Sequence, residues 1–226
     1  MSRGDDETII ESWRQNVTPW VAAIENGEIA SRVEVTNQAI VDAVTQCAPA
    51  SVLDAGCDEG WLVRELVARG IDALGIDAIP GFIERARQHA VGRYRVLSYE
   101  ETSYSALGER FDVVVCNFSL LGEDSVTGLF RQIPAVLNPG GVFIVQTLHP
   151  LVYGGAAPDE DGWREGSWAG CSKRFGTPAP WYFRTIESWK NLFQQNGFLL
   201  ANIVEPMNPT TQIPASIIFV GKSRLA

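Results

Sequence analysis

Short apolar segments alternate with helical segments between residues 51 and 148, and this alternation limits the fold more than any other feature of the sequence. It predicts βαβ units, and hence a parallel sheet with helices packed on both faces. The strands predicted in this region are Ser51–Ala55, Ala73–Asp77, Tyr94–Ser98, Phe111–Asn117 and Val142–Leu148. The helices predicted between them are Trp61–Arg69, Gly81–His89 and Val126–Leu137, the last of which ends at a predicted turn over residues 138–141.

The C-terminal region departs from this alternation. A predicted helix, Thr185–Asn196, is followed by two strands, Phe198–Val204 and Ala215–Gly221, with no helix between them. Consecutive strands without a crossover helix pair as an antiparallel hairpin. The sequence therefore predicts an α/β, doubly wound fold whose mostly parallel sheet has seven strands, one of them antiparallel.

Helical periodicity precedes the first strand. One predicted helix begins near Ile9 and is interrupted at Pro19, and a second spans about Glu34 to Cys47. We therefore divide the chain into an N-terminal helical cap, residues 1–48, and a main domain, residues 49–226. Within the main domain, residues 150–184 are rich in glycine and aromatic side chains, which indicates a lid or a substrate-binding wall rather than disorder.

Charge and composition narrow the class of partner. The formal net charge of −9 at pH 7 argues against a nucleic-acid partner, because no basic stripe is available to contact phosphates. The four cysteines show no CxxC spacing and lie far in sequence from the two histidines, so neither a metal site nor a disulfide framework is predicted. No apolar run has the length of a membrane span and no targeting signal is recognisable, which favours a cytoplasmic protein with a small-molecule partner. Oligomeric state has no signature in the sequence.

The loop after the first predicted strand, in the sequence VLDAGCDEGW, resembles a nucleotide-binding loop. Ligands of open α/β sheets bind at the carboxyl ends of the strands, where small residues let the backbone approach them. The second predicted strand ends at Asp77, 21 residues after Gly56, and a carboxylate there can accept hydrogen bonds from both hydroxyls of a ribose. A dinucleotide is disfavoured, because Asp58 and Trp61 replace the second and third glycines of GxGxxG.

An acid before this loop, with glycines at alternate positions, suits a ligand that has an ammonium group and no phosphates, such as S-adenosylmethionine. Four segments in order, VLDAGCDEGWL, GIDAIPGFIERAR, FDVVVCNFSLL and LNPGGVFIVQTLHP, resemble the motifs of the class I S-adenosylmethionine-dependent methyltransferases. The resemblance covers about residues 50–150. The predicted terminal hairpin agrees with the seven-stranded, Rossmann-like sheet of that family.

The resemblance implies cofactor-binding roles for the first two motifs. Asp54, Gly56 and Gly60 would form the loop beneath the methionine and ribose portions of S-adenosylmethionine. Asp77 would hold the ribose hydroxyls, and Ala78 would lie beside the adenine.

The later motifs would complete the cofactor site. Tyr99 and Glu100 would border the adenine, although the family often has a Gly-Asp pair there, a departure that makes Glu100 a weaker candidate than Asp77. Asn117, Phe118 and Ser119 would close the floor near the reactive sulfonium.

Three further residues are candidates for the cofactor site. In related small-molecule methyltransferases the preceding helices cap the cofactor, which suggests Trp20 as a cap and Arg32 as a partner of the cofactor's carboxylate; ordinary helix packing explains both equally well. Asp58 allows three interpretations. Its carboxylate would point into solvent from a turn conformation, would pair with the ammonium group of the methionine moiety, or would repel the ligand's carboxylate.

Candidates for acceptor chemistry follow the fifth predicted strand. His149 ends that strand, and a histidine can remove a proton from an acceptor near neutral pH; alternatively it hydrogen-bonds the lid backbone. Trp163, Trp168 and Tyr182 would line an aromatic pocket or pack within the lid. Arg184 would bind a substrate carboxylate or form a structural salt bridge.

These features predict an enzyme that transfers a methyl group from S-adenosylmethionine to a hydroxyl, carboxyl or amine group of a small molecule. The alternative is a non-catalytic protein of the same fold that binds S-adenosylmethionine or S-adenosylhomocysteine. A nicotinamide-dependent oxidoreductase ranks third, because the dinucleotide fingerprint is broken.

Overall fold

A computed structural model of the chain describes residues 6–153, 155, 157, 159–168 and 174–224. The first five residues of the predicted N-terminal cap, and parts of the predicted lid at residues 150–184, lie outside the described residues. The rest of the chain forms a central sheet, helices on both of its faces, and a small two-stranded ribbon.

Seven strands make up the central sheet: β1 Ser51–Ala55, β2 Asp72–Asp77, β3 Arg93–Val96, β4 Phe111–Asn117, β5 Leu137–Thr147, β8 Phe198–Val204 and β9 Ile217–Ser223. Their order is β3-β2-β1-β4-β5-β9-β8. β9 is antiparallel to both of its neighbours, whereas β1 to β5 pair in parallel. The predicted Rossmann-like, doubly wound fold with one antiparallel terminal strand is confirmed.

Helices cover both faces of this sheet. The helices of the described residues are α1 Asp6–Glu25, α2 Asn37–Thr45, α3 Trp61–Val67, α4 Pro80–Gln88, α5 Tyr104–Leu107, α6 Asp124–Val136, α7 Pro150–Tyr153 and α8 Ile186–Gln195. A π-helical turn, Arg32–Thr36, runs directly into α2. None of the helices in the described part of the chain combines the length and the apolar character that spanning a membrane would need.

Apolar side chains form a core on each face of the sheet. On one face Phe130 of α6, Phe143 of β5 and Phe193 of α8 pack with ring centroids 4.8–5.4 Å apart. On the other face α2, α3 and α4 bury residues such as Ile40 and Leu62. Each fully buried side chain of this size stabilises the fold by roughly 1.5–3 kcal/mol. The two cores hold the central strands rigidly, so the carboxyl ends of these strands form a fixed platform.

Two predicted boundaries are wrong. Pro19 does not interrupt α1, which continues from Asp6 to Glu25, because the side chains that the helix buries hold it in place despite the hydrogen bond that proline lacks. Residues 138–141 do not form the predicted free turn after helix α6. β5 already begins at Leu137, and these residues form an irregularity within its pairing to β4, which the left-handed φ of 72° at Gly140 permits.

The predicted lid contains regular structure in its described part. Helix α7 follows β5 directly, and the strands β6 Gly162–Arg164 and β7 Trp181–Phe183 pair antiparallel as a ribbon. The backbone N–H of Tyr182 donates to the carbonyl of Leu121 at 2.7 Å, which fastens the ribbon to the loop between β4 and α6. This attachment places the segment over the carboxyl end of the sheet.

Candidate functional site

A cavity of about 820 Å³ opens at the carboxyl ends of the parallel strands. The strand order reverses at this edge, between β1 and β4, which is where open α/β sheets bind their ligands. The volume lies within the range of small-molecule sites. The predicted site residues that line the cavity are Gly56, Asp58, Asp77, Ala78, Tyr99, Glu100, Asn117, Phe118, Trp20, Arg32 and Trp168.

Two glycines shape the loop after β1. Gly56 has a φ of 80°, and a Cβ there would overlap the side chains of Ser119 and Tyr99. Gly60 has a φ of 84°, and a Cβ there would overlap the ring of Tyr94. Glycine is therefore required at both positions, because it alone accepts this conformation without a clash. The bare backbone of Gly56 forms part of the cavity wall.

Asp58 and Asp77 join the ends of β1 and β2. Asp58 adopts a left-handed conformation, with a φ of 61°, and its backbone N–H donates to Oδ2 of Asp77 at 3.0 Å. Oδ1 of Asp77 accepts the backbone N–H of Ile79 at 2.9 Å. Burial raises the pKa of the Asp77 carboxyl to about 6, although these two hydrogen bonds oppose the shift. The two backbone hydrogen bonds hold the Asp77 carboxylate in one orientation at the cavity wall.

Arg32, in the π-helical turn before α2, is the buried cation of the cavity wall. Its guanidinium carbon lies 5.6 Å from the ring centroid of Trp20 and 5.3 Å from that of Trp61. Nε donates to Oδ1 of Asn37 at 3.4 Å, whereas Nη2 is buried without a partner among the described residues. Burial lowers the pKa of Arg32, and the carboxylates of the loop after β1, Asp58 foremost, oppose this shift. A buried guanidinium with a free N–H group suits an anionic ligand group.

Asp58 also lies in the cavity wall, near enough to Arg32 for the two charges to interact. Burial raises the pKa of its carboxyl to about 7, and the nearby Arg32 opposes the shift. The Trp20 indole also lies near this carboxyl and lowers its pKa, but the geometry of a hydrogen bond is not reached: within the described structure Oδ1 of Asp58 and Nε1 of Trp20 are both buried without a partner. Orphaned polar atoms of this kind cost stability unless a ligand satisfies them.

Two further buried carboxylates lie beside the loop. Asp54, at 2% exposure, has its pKa raised well above the usual value by burial and by the charges of Asp58 and Asp77. Glu59 is also buried, but Arg64 donates to its Oε2 at 2.6 Å and neutralises it. In the described part of the chain no group of three or more His, Cys, Asp or Glu side chains could hold a metal ion.

The floor of the cavity follows β4. Phe118 has a left-handed φ of 55°, and its N–H donates to the carbonyl of Gln146 at 2.8 Å. The hydroxyl of Tyr99 donates to the carbonyl of Ser119 at 3.1 Å, and Oγ of Ser119 donates to the carbonyl of Ala55 at 2.8 Å. These bonds fix the start of the β4–α6 loop against the end of β1.

Aromatic side chains from α1 and the segment after β6 roof the cavity. The ring centroid of Trp13 lies 5.0 Å from that of Trp20 and 5.5 Å from that of Trp168, which stacks on Phe175 at 4.4 Å. Asn16, fully buried beneath them, accepts the N–H of Gly176 at 2.8 Å through Oδ1. The N-terminal helix and the segment after β6 therefore form one continuous roof.

A family model described as a methyltransferase domain matches residues 30–202. The chain belongs to this methyltransferase family. The matched region begins just before Arg32 and ends within β8, so it contains the whole loop region described above. The resemblance to the class I S-adenosylmethionine-dependent methyltransferases is confirmed.

Curated relatives of this methyltransferase match over somewhat less than half of the chain. The ubiquinone biosynthesis O-methyltransferase of Azorhizobium caulinodans is 36% identical over 105 residues, which cover 45% of this chain and 41% of that protein. The protein of the same name from Methylocella silvestris is 37% identical over 101 residues, covering 43% and 40%. The matched part of the chain spans less than half the length of these relatives.

Solved structures of methyltransferases share the fold at lower sequence identity. An S-adenosylmethionine-dependent methyltransferase from Clostridium acetobutylicum is 15% identical, with a TM-score of 0.62 over 81% of this chain and 89% of that chain. One from Mesorhizobium loti is 21% identical, with a TM-score of 0.57 over 76% and 90%. At these identities the likeness establishes the fold.

His149 is placed away from the cavity of this methyltransferase. It is 2% exposed, and its Nε2 lies 2.9 Å from Oε1 of Glu205. Its carbonyl accepts the N–H groups of Val152 and Tyr153 at 3.0 and 2.9 Å and so begins helix α7. The described cavity wall includes its neighbours Thr147 and Leu148 but not His149, because the side chain points out of the platform towards the end of β8. The imidazole pairs with Glu205 rather than with the backbone of the lid, and Nδ1 is buried without a partner in the described structure, so the predicted hydrogen bond to the lid backbone is not found there either.

Three of the four predicted acceptor-binding residues also lie off the described cavity wall. Nε1 of Trp163 donates to Oε2 of Glu123 at 3.2 Å, and its ring packs against that of Tyr182 at 5.6 Å. Arg184 is buried and donates to the carbonyls of Gly122 at 2.8 Å and Glu123 at 2.9 Å. These residues fasten the ribbon to the β4–α6 loop. The described partners of the Arg184 guanidinium are backbone carbonyls, so neither predicted role, binding a substrate carboxylate or forming a salt bridge, accounts for its position. Trp168 alone reaches the cavity.

Asp54 and Gly60 likewise lie behind the loop rather than on the described wall. Their effect on a ligand would be indirect, through the charge of Asp54 and the backbone shape at Gly60.

Sequence reasoning missed the role of Asp6. Its carboxylate accepts the backbone N–H groups of Glu123 at 3.0 Å and Ser125 at 2.5 Å, and so caps the start of α6 from a distant helix. No local signal reveals a cap supplied 117 residues away along the chain. Ser119, predicted with Asn117 and Phe118 as part of the floor, lines the cavity.

Proposed function

We propose that this chain is an enzyme that binds S-adenosylmethionine in the cavity and transfers the activated methyl group to a small-molecule acceptor. The observation that carries the proposal is the pair of Arg32 and Asp58, two opposite charges at one end of the cavity, each with a buried polar atom that lacks a partner in the described structure. An α-amino acid end, which carries an ammonium and a carboxylate, supplies both missing partners.

The residues of the cavity fit this cofactor from end to end. Arg32 would hold the carboxylate of the methionine moiety, and Asp58 would hold its ammonium group. Asp77, with lone pairs left after its two backbone hydrogen bonds, would accept the ribose hydroxyls. Ala78 and Tyr99 would border the adenine, with the bare backbone of Gly56 beneath the cofactor. This assignment selects the second of the three readings of Asp58.

The protein's contribution to the reaction would be positioning and exclusion of water. The bound cofactor supplies a methyl group on a positively charged sulfur, which an acceptor nucleophile displaces in line. The floor at Asn117 and Phe118 would hold the two reactants in line, and the roof of Trp13, Trp20 and Trp168 would exclude water. His149 lies off the described wall, so we leave it out of the proposed reaction.

A small aromatic or apolar molecule with a hydroxyl group is the acceptor that we favour. The wall beyond the cofactor region includes Ile10, Leu121, Tyr153 and Trp181, which suit an apolar body. The curated relatives are named as O-methyltransferases, which supports a hydroxyl ahead of a carboxyl or an amine. The cytoplasmic location and the lack of a nucleic-acid partner stay predictions, as do the roles of residues 1–48 as cap and 150–184 as lid.

The placement of His149 favours one alternative, a non-catalytic protein that binds S-adenosylmethionine or S-adenosylhomocysteine. A hydroxyl acceptor must lose a proton, and among the described lining residues the bases are carboxylates rather than a histidine. Such a protein would bind the cofactor and transfer nothing.

Labelled S-adenosylmethionine tests both forms of the proposal. The purified protein is first titrated with the cofactor in a calorimeter and then incubated with the methyl-labelled cofactor and a panel of small phenols, carboxylic acids and amines. We expect binding together with transfer of label to at least one phenol. Binding without transfer to any acceptor supports the non-catalytic alternative, and the absence of detectable binding contradicts both.

A further inference from the structure

Gln146, near the carboxyl end of β5, carries a buried side-chain amide that is not part of the described cavity wall. The residue is 1% exposed, and its Nε2 donates to the carbonyl of Thr36 at 3.2 Å and to Oγ of Ser216 at 3.2 Å. A backbone carbonyl can only accept a hydrogen bond, so the amide turns its NH2 group and not its oxygen towards Thr36. Oε1 is left buried without a partner in the described structure.

This half-satisfied amide contributes little to the stability of the fold. A buried oxygen without a partner costs free energy, and an apolar side chain of the same shape is often nearly neutral in its place. The amide does supply a directed contact between β5 and the segment that contains Thr36. We therefore looked for its role in what that segment holds.

The segment is the π-helical turn Arg32–Thr36, in which the N–H of Asn37 donates to the carbonyl of Arg32, five residues earlier. Arg32 and Thr36, at its two ends, are both buried, and both line the cavity. Turns of this kind are rare in helices and occur frequently at functional sites. The position of the Arg32 guanidinium therefore depends on how the wide turn is held, and Gln146 holds its last residue.

The main chain of Gln146 holds the floor of the same cavity. Its carbonyl accepts the N–H of Phe118 at 2.8 Å, and Gln146 pairs in register with Asn117 of β4. One residue thus contacts the floor through its backbone and the turn of Arg32 through its side chain. Gln146 therefore links the position of Arg32 to that of the floor.

We propose that Gln146 is a positioning residue for the cofactor, whose amide holds the π-helical turn so that the guanidinium of Arg32 meets the carboxylate of S-adenosylmethionine. The inference rests on the proposed function, in which Arg32 binds that carboxylate. Gln146 acts through Arg32, since its own side chain does not line the described cavity. Loss of the amide therefore weakens the binding of a ligand that carries the carboxylate and spares one that lacks it.

Calorimetry with two ligands tests the inference. S-Adenosylmethionine carries the carboxylate, whereas decarboxylated S-adenosylmethionine keeps the adenosine, the methylated sulfur and the ammonium group without it. We expect Gln146→Met to raise the dissociation constant of S-adenosylmethionine by at least about fivefold and that of the decarboxylated ligand by less than about twofold. An equal loss for both ligands overturns the inference, because a general distortion of the cavity acts on both.

A double variant tests whether Gln146 acts through Arg32. If it does, adding Gln146→Met to Arg32→Met produces no further loss of affinity for S-adenosylmethionine, because the contact that the amide positions is already absent. Losses that add in the double variant contradict this route. Asn138→Leu is the matched control, since the Asn138 amide donates to Oδ1 of Asp112 at 2.8 Å near the opposite end of β5, and this change should leave both affinities unaltered.

A second variant guards against a failure to fold. Gln146→Asn keeps the amide but shortens the side chain by one carbon, which takes Nε2 out of reach of a carbonyl already 3.2 Å away. We expect the same selective loss as for Gln146→Met. If neither variant folds, the amide is required for stability and the inference is wrong.

Failure of the inference and failure of the proposed function give different results. If the parent protein binds neither ligand, the proposed cofactor is wrong and the inference falls with it. If Arg32→Met weakens both ligands equally, Arg32 does not hold the carboxylate, and the inference falls for that reason. If Arg32→Met is selective and Gln146→Met changes neither affinity, the cofactor assignment stands and Gln146 has no positioning role.

Discussion

At the scale of single residues, buried charge governs the properties of this site. Arg32 is enclosed by two indole rings, and Asp58 occupies a left-handed position usually reserved for glycine. Neither residue is placed to stabilise the ligand-free fold, because each has a buried polar atom without a partner in the described structure. The pair is better understood as a ligand-binding feature that the fold tolerates.

Asp58→Asn should stabilise the ligand-free protein at high pH. The pKa of Asp58 is about 7 in the folded protein and near 3.8 in the unfolded chain, so folding favours its protonated form. This contribution to stability is complete below pH 4 and is lost as the pH rises through 7. Urea unfolding should show the Asn variant to be more stable than the parent by about 2–4 kcal/mol at pH 8 and equal to it near pH 4. A variant that is less stable than the parent at pH 8 would show that Arg32 already compensates the charge.

Arg32→Met should weaken cofactor binding without unfolding the protein. A hydrogen bond to a charged group is worth about 1.5–3 kcal/mol, so the dissociation constant of S-adenosylmethionine should rise about 10- to 100-fold. Arg69→Met is the control, since Arg69 pairs with Glu65 on the exposed surface of the α3 region. An equal effect of the two substitutions would remove Arg32 from the cofactor site.

At the scale of elements, the loop between β4 and α6 is held by two separate sets of bonds. Its first part, through Ser119, is attached to the end of β1. Its second part is attached to α1 through Asp6 and to the ribbon through Arg184. Helix α1, the sheet and the ribbon therefore meet at this loop, which explains why the aromatic segment lies over the cavity.

Arg184→Met should destabilise the protein through this loop. The substitution leaves the carbonyls of Gly122 and Glu123 without their donor and removes the stacking of the guanidinium on Tyr182 and Trp189. We expect a loss of about 2–4 kcal/mol in the free energy of unfolding. Arg110→Met is a matched control, because Arg110 also stacks on a tyrosine and donates to a carbonyl, but at an exposed position, and its loss should cost less than about 1 kcal/mol. Similar losses in the two variants would contradict the role given to Arg184.

Elements set by local sequence could be predicted, whereas contacts between distant segments could not. The bounds of β4 and β8 follow from apolar runs between breaking residues. The start of β5 was missed, because residues 138–141 have the composition of a free turn and only the pairing with β4 makes them a bulge.

The candidate site shows the same division between local and distant information. Apart from Asp54 and Gly60, the predicted residues of the strand-end motifs reach the cavity, because the fold alone brings strand ends together. The direction of His149 and the partners of Arg184 depend on Glu205 and on the β4–α6 loop, which are far away in the chain. No spacing pattern in the sequence encodes these contacts.

At the scale of the whole molecule, the roof joins the N-terminal helices to the segment after β6. Ring contacts between Trp13, Trp20 and Trp168 cross from one to the other above the cavity. A ligand enclosed beneath them would contact the sheet platform and both halves of the roof, so its binding should stabilise the molecule as a unit.

S-Adenosylmethionine should therefore raise the melting temperature. At a concentration 100 times its dissociation constant, a ligand that binds only the folded state adds about 2.7 kcal/mol to stability. For a chain of this size that corresponds to an increase of about 5–10 °C, measurable by scanning calorimetry. NAD at the same concentration should produce no increase, because the loop lacks the dinucleotide glycines. An increase with NAD alone would favour the oxidoreductase reading.

A crystal structure of the protein with S-adenosylhomocysteine at saturating concentration tests the assignment of the cavity as the cofactor site. We expect the ligand in the cavity at the carboxyl ends of the strands, with its carboxylate on Arg32, its ammonium group on Asp58 and its ribose hydroxyls on Asp77. A ligand that leaves these three side chains uncontacted, or that binds outside the cavity, would contradict it.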